Sequence, residues 1–149
     1  MIIEIWTKEK YSASEEAALS KRLGHAGLAV EAARLSRLYK VDGDFTAEEF
    51  RNIASELLVD KITEKFSLNG RPHGLKGAYR AEVWLKDSAT DPVGETVKEA
   101  VEEFSGRTAR AVRFGHAYYV ACGSELKLRH AVGKTLVNEI VNICRIEKL

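Results

Sequence analysis

Apolar and polar residues alternate from the start of the chain. Ile3, Ile5 and Thr7 fall on one parity, and Glu4, Trp6 and Lys8 on the other. A period of two is that of a half-buried strand. The alternation returns further along, with Ala81, Val83 and Leu85 set against Glu82, Trp84 and Lys86. A helical pattern follows each strand. In the later one Asp91 is a good N-cap, and Pro92 takes the first helical position, where a missing N–H costs nothing. Val93, Val97, Ala100, Val101 and Phe104 then share a face. In the earlier one Ser12 and Glu15 have the spacing of a capping box, with Leu19 and Leu23 one turn apart. Extended segments come next, Ala32 to Val41 and Ala109 to Cys122. In the second of them Gly115 is expected to be a bend or hairpin point between two strands. Thr46 and Glu49 then form a capping box, Phe45 and Phe50 take the positions of a hydrophobic staple, and Phe50, Ile53, Ala54 and Leu57 make a buried stripe. Its counterpart runs from about Ser124, with Leu128, Val132 and Leu136 inward. Last strands are expected from Ile62 to Leu68 and from Glu139 to Glu147.

The chain thus reads as a duplication. Glu4-Ile5-Trp6-Thr7-Lys8 matches Glu82-Val83-Trp84-Leu85-Lys86 at an offset of 78 residues, and Leu58-Val59-Asp60-Lys61-Ile62 matches Leu136-Val137-Asn138-Glu139-Ile140 at the same offset. Between them Ala32, Arg34, Leu35, Tyr39 and Val41 match Ala111, Arg113, Phe114, Tyr118 and Val120 at 79. The segment 68–78 contains three glycines and Pro72, which bars a helix or a central strand. The expected units are therefore 1–67 and 79–149. The expected class is α+β: two tandem ferredoxin-like β-α-β-β-α-β repeats, with antiparallel sheets and helices on one face. Trp6 and Trp84 point to the opposite face. Either a neighbouring strand covers each of them, or the two faces bury against each other or against a second copy.

Composition narrows the function. With 149 residues, 45% of them apolar, one ordinary domain or two very small ones can fold without a metal or disulfide. The net charge of +1 leaves no electrostatic footprint for nucleic acid or an acidic membrane. No apolar run reaches the length of a membrane helix, and no signal peptide is expected in the first residues. Cys122 and Cys144 form neither a disulfide framework nor a Cys-x-x-Cys pair, so a reducing, cytoplasmic setting is expected. They read as small buried hydrophobes. His25, His73, His116 and His130 have no metal-site spacing, and His116 reads as a partly buried core residue. No phosphate-binding glycine loop or nucleophile elbow is present, so no cofactor and no catalytic residue is expected. Arg71, His73, Lys76 and Arg80 make a basic cluster around the linker, either solvated or able to meet a phosphate or carboxylate.

The second repeat contains, in order, Val83-Trp84-Leu85-Lys86, Asp91-Pro92-x-Gly94, Val112-Arg113-x-Gly115 and Leu136-x-Asn138-x-Ile140. By these motifs, the last one residue shorter than the family pattern, it resembles PurS, the small subunit of phosphoribosylformylglycinamidine synthase of purine biosynthesis. The first repeat departs from it. Ala13-Ser14-Glu15-Glu16 stands for Asp-Pro-x-Gly, Asp60 for the Asn, and Ser36 or Arg37 for the strand Gly. It looks like a diverged copy, and the pair is similar to the PurS-like N-terminal region of the long, fused synthase. The resemblance implies a non-catalytic role: bridging a PurL-type synthase and a PurQ-type glutaminase, and supporting ammonia transfer between them. At the family's motif positions Gly94, Arg113 and Asn138 are the candidate partner contacts, with Arg34 as the counterpart of Arg113. The competing reading is a small-molecule-sensing module that would use Gly24-His25-Ala26-Gly27 and the basic linker.

Overall fold

The alternating segments pair into one sheet. A computed structural model describes residues 1–70 and 73–149, so Arg71 and Pro72 lie outside the described residues. The first half of the chain contributes β1 (Ile2–Thr7), α1 (Ala13–His25), β2 (Ala32–Asp42), α2 (Ala47–Asn52) and β3 (Glu64–Leu68), with α2 continuing as a π-helical segment, Ile53–Leu58. The second half contributes β4 (Ala78–Leu85), α3 (Pro92–Ser105), β5 (Ala111–Ala121), α4 (Glu125–Thr135) and β6 (Asn142–Lys148). The strand order is β3-β1-β2-β5-β4-β6, and every pairing is antiparallel. This is the expected α+β class, an antiparallel sheet with helices on one face.

The repeat unit is β-α-β-α-β, with one long strand where two had been expected, and both halves share a single sheet. Gly115 is not a bend. It pairs with Leu38 on one side and Trp84 on the other, inside a continuous strand of eleven residues. A Cβ there would lie 2.6 Å from the Trp84 ring and 2.7 Å from the Val83 carbonyl oxygen. A strand glycine marks either a bend or a close approach, and here it makes room for an indole. Because the sheet is single, Trp6 and Trp84 lie on the same face and cannot stack one sheet on another within the chain.

The sheet reads alike from both edges. β1, β2 and β3 occupy the places that β4, β5 and β6 occupy from the other side. Arg37 and His116, equated by the 79-residue offset, are also paired with each other across β2 and β5. An approximate twofold axis therefore passes through that pair. The turns repeat too. The Asp60 carboxylate accepts from the amides of Ile62 and Thr63, and the Asn138 side-chain oxygen from that of Ile140. The Asp60 and Asn138 amides donate to the side chains of Glu64 and Asn142. These turns delay β3 and β6 by two or three residues beyond the expected starts.

Helices cover one face as two pairs, each drawn from both halves. α1 packs with α4 and α3 with the π-helical segment. Leu19, Leu23, Leu128 and Val132 close on Ala33, Ala81 and Val120, while Phe50, Ile53 and Val101 close on Ile3, Ile5, Val41 and Val112. Local signals set the helix starts. Thr46 and Glu49 exchange both hydrogen bonds of a capping box, and Phe45 meets Phe50 edge-on at 5.4 Å. Asp91 caps α3 by accepting from the Gly94 amide at 2.8 Å. The box expected at Ser12 and Glu15 does not form. A 3₁₀ turn, Glu9–Tyr11, precedes α1, so Ser12 donates back to Glu9 and on to Glu16, and Glu15 accepts from Thr7. On α3, Val93 and Phe104 are exposed at the edges of the face that Val101 buries.

Candidate functional site

The face opposite the helices carries polar groups that a sheet face under cover must satisfy. Glu4 and Tyr119 are fully buried and Arg80 is 4% exposed. Arg80 Nη1 donates to both oxygens of Glu4, at 3.0 and 3.1 Å, and to the Tyr119 hydroxyl. That hydroxyl donates to Glu4 Oε1 at 2.7 Å. The other edge of the guanidinium reaches Glu82 Oε2 at 3.1 Å, and the remaining Glu82 oxygen accepts from the Trp84 indole N–H at 2.6 Å. Glu4 and Glu82 are repeat equivalents, so one arginine ties the two halves together. Burial pulls the Arg80 pKa down, and Glu4, Tyr119 and Glu82 more than offset it, leaving the guanidinium above its ordinary value. Burial, then the Glu4 hydrogen bond, raises the Tyr119 phenol.

The connection from β3 to β4 crosses this face and covers the clamp. His73 meets Trp6 edge-on at 5.6 Å and Tyr119 at 4.6 Å, and its Nε2 lies 3.2 Å from Ser36 Oγ. Leu75 packs on Leu38, Ala117 and Tyr119. Burial, then the Arg34 and Arg80 charges, pushes the His73 pKa down to about 4, with Glu16 opposing. The basic cluster read around the linker is thus dispersed: Arg80 is buried in the clamp, Lys76 is exposed and Arg71 is outside the described residues.

Two hollows flank the clamp. One, about 270 Å³, is lined by Trp6, Glu9, Arg34 and Lys65 together with His73 and Leu75. The other, about 210 Å³, is lined by Trp84, Asp87, Arg113 and Ile143 together with Lys40 and Ile2. The first four residues of each set are repeat equivalents, so the hollows are twins under the approximate twofold. Arg34 sits at the first, paired with Glu9 at 3.3 Å and with Glu16. Arg113 sits at the second. Its Nη2 donates to the carbonyls of Leu85 and Lys86, at 3.0 and 2.8 Å, and its Nε is 3.8 Å from Asp91.

Trp6, Trp84, Arg34 and Arg113 therefore share one face, while the other candidates lie apart from it. Gly94 is buried at the start of α3, where a Cβ would come within 2.4 Å of the Val112 carbonyl oxygen. Asn138 is exposed in the turn before β6, its side chain holding that turn. Lys40, Glu4 and Tyr119 were missed in sequence because polar residues on a strand read as solvent-facing. Only the Glu4–Glu82 equivalence hinted otherwise. His116 is partly buried on the helix side between Phe114 and Tyr118, its pKa lowered by burial and then by Arg37. Cys122 is buried, and burial raises the Cys144 thiol, opposed by Arg129. Among the described residues no group of three His, Cys, Asp or Glu could hold a metal ion, and no helix is long and apolar enough to cross a membrane.

An α+β chain built as paired units on one antiparallel sheet is the class that fold and face define. Residues 78–149, from β4 onward, match the family model described as PurS, phosphoribosylformylglycinamidine (FGAM) synthase. Two solved structures are similar to the chain. PurS of B. subtilis, in a C2 crystal form, is 22% identical, and the match covers 48% of this chain and 96% of that one at a TM-score of 0.45. The PurS subunit of phosphoribosylformylglycinamidine synthase from Thermotoga maritima is 24% identical over 48% of this chain and 90% of that one, at 0.40. No curated protein matches the chain.

Proposed function

We propose that the chain is a double PurS unit that serves phosphoribosylformylglycinamidine synthase as a non-catalytic assembly component in the cytoplasm. It bridges the PurL-type synthase and the PurQ-type glutaminase and supports passage of ammonia between them. The observation that carries this reading is the family match over 78–149, taken with the twofold arrangement of the sheet about Arg37 and His116. In this reading residues 1–67 are a diverged second copy, joined by 68–78, and the whole is similar to the PurS-like N-terminal region of the fused synthase.

A duplicated chain suits a bridge between two different proteins because its halves can diverge, whereas the faces of a homodimer stay identical. The asymmetry of the two hollows is of this kind. Arg34 and Arg113 on the face opposite the helices, and Asn138 at the turn before β6, are the partner contacts in this reading, and further self-association would use the face carrying Trp6 and Trp84.

The test is synthase turnover by the large and glutaminase subunits, with and without this chain, driven by glutamine or by free ammonia. A bridging component is required for the glutamine-driven rate and contributes less to the ammonia-driven one. Equal rates with and without the chain, and no co-elution with either subunit, would overturn the reading.

A further inference from the structure

At one of the twin hollows the connecting segment supplies part of the lining. His73 seats its imidazole against Trp6 and Tyr119, and Leu75, two residues on, lies on the apolar centre of the face. The equivalent place beside Trp84 is open. Its floor is the Trp84 ring laid over Gly115, flanked by Ile2 and the half-exposed Ile143, and its rim is Lys40, Glu82, Asp87 and Arg113. We propose that this open hollow binds a peptide segment of a protein partner that bears an imidazole or small aromatic ring. The inference rests on the assembly reading only for there being a partner.

Three observations support this occupant. The seat has an apolar floor and a polar rim, the anatomy of a small protein interface. Its rim charges balance, two cationic and two anionic, and Arg113 is already committed to two backbone carbonyls and Asp91, which disfavours a free anion. The twin shows what sits beside such an indole, the His73 ring of the connecting segment. The connection crosses the face once, so it lines the hollow at Trp6 and not its equivalent at Trp84.

The probe is a fluorescein-labelled peptide of residues 69–77, titrated with the intact chain and followed by anisotropy. The tethered segment holds the Trp6 seat at an effective concentration on the order of millimolar, so free peptide reports on the open one. We expect saturable one-to-one binding, weakened about tenfold by Trp84→Ala and abolished when the peptide's His is replaced by Ala. Lys40 is exposed and stands where Tyr119 stands in the twin. Lys40→Tyr should therefore tighten binding several-fold, in a variant that has no reason to lose its fold.

Absence of binding, or binding indifferent to both substitutions, would overturn the proposal. So would a concentration-dependent dimer that Trp84→Ala abolishes, since the occupant would then be a second copy. Failure here leaves the synthase assay untouched, and failure of that assay leaves the peptide affinity untouched.

Discussion

Replacing Arg80 by methionine removes the guanidinium that holds both oxygens of Glu4 while keeping most of the side-chain volume. Glu4 is fully buried, so its carboxylate keeps the Tyr119 hydrogen bond and loses its counter-charge. Leaving one partner of a buried pair uncompensated costs about 3–5 kcal/mol. For 149 residues the unfolding entropy is about 0.3 kcal/mol per kelvin, so Tm should fall by roughly 10–16 °C. Thermal unfolding by circular dichroism measures it. The sharper test is the cycle with Glu4→Gln, which is isosteric and removes the charge that Arg80 balances. If the clamp is a coupled unit, Glu4→Gln should recover part of the loss in the Arg80→Met background, with a coupling of about 2 kcal/mol. A fall below about 3 °C, or strict additivity of the two changes, would refute the idea that one buried arginine joins the halves.

Three further outcomes follow from particular contacts. Gly94→Ala would gain about 1 kcal/mol in an ordinary helix interior, but here the added carbon meets the Val112 carbonyl oxygen and the Asp91 carboxylate. Urea unfolding should instead show a loss of about 1–3 kcal/mol. Thr46→Ala removes the side-chain acceptor for the Glu49 amide and should cost about 1 kcal/mol, or about 3 °C in Tm. The folded-state pKa of His73 lies near 4, below its ordinary value of 6.5. Its contribution to stability is therefore complete above pH 6.5 and is lost as pH falls through 4. Between those limits limited proteolysis of the 73–77 segment should quicken with acid in the parent chain, and the acid dependence should flatten in His73→Leu.

Patterning alone located the helices and four of the six strands to within a few residues, because burying one face imposes period two or 3.6 whatever the final packing. It also marked the caps at Thr46 and Asp91, whose partners lie within the next turn. The motif residues at 83–86, 91–94, 112–115 and 136–140 likewise lie in local order along the chain, which is why the resemblance to PurS was legible from them.

What the sequence could not settle was every relation between distant segments. Gly115 could be a bend or a site of close approach until the β4–β5 register put Trp84 over it. Ser36 or Arg37 could have been its counterpart until the β2–β5 pairing placed Arg37 on the axis, leaving Ser36 beside Trp6. Glu4 and Arg80 are 76 residues apart, and a strand's alternation says which face a charge takes but not what covers that face. That cover is the connecting segment, which the sequence marks only as unable to form a helix or central strand. Its course over Trp6, and not over Trp84, depends on where β3 ends and β4 begins in the sheet, and only the tertiary structure decides that.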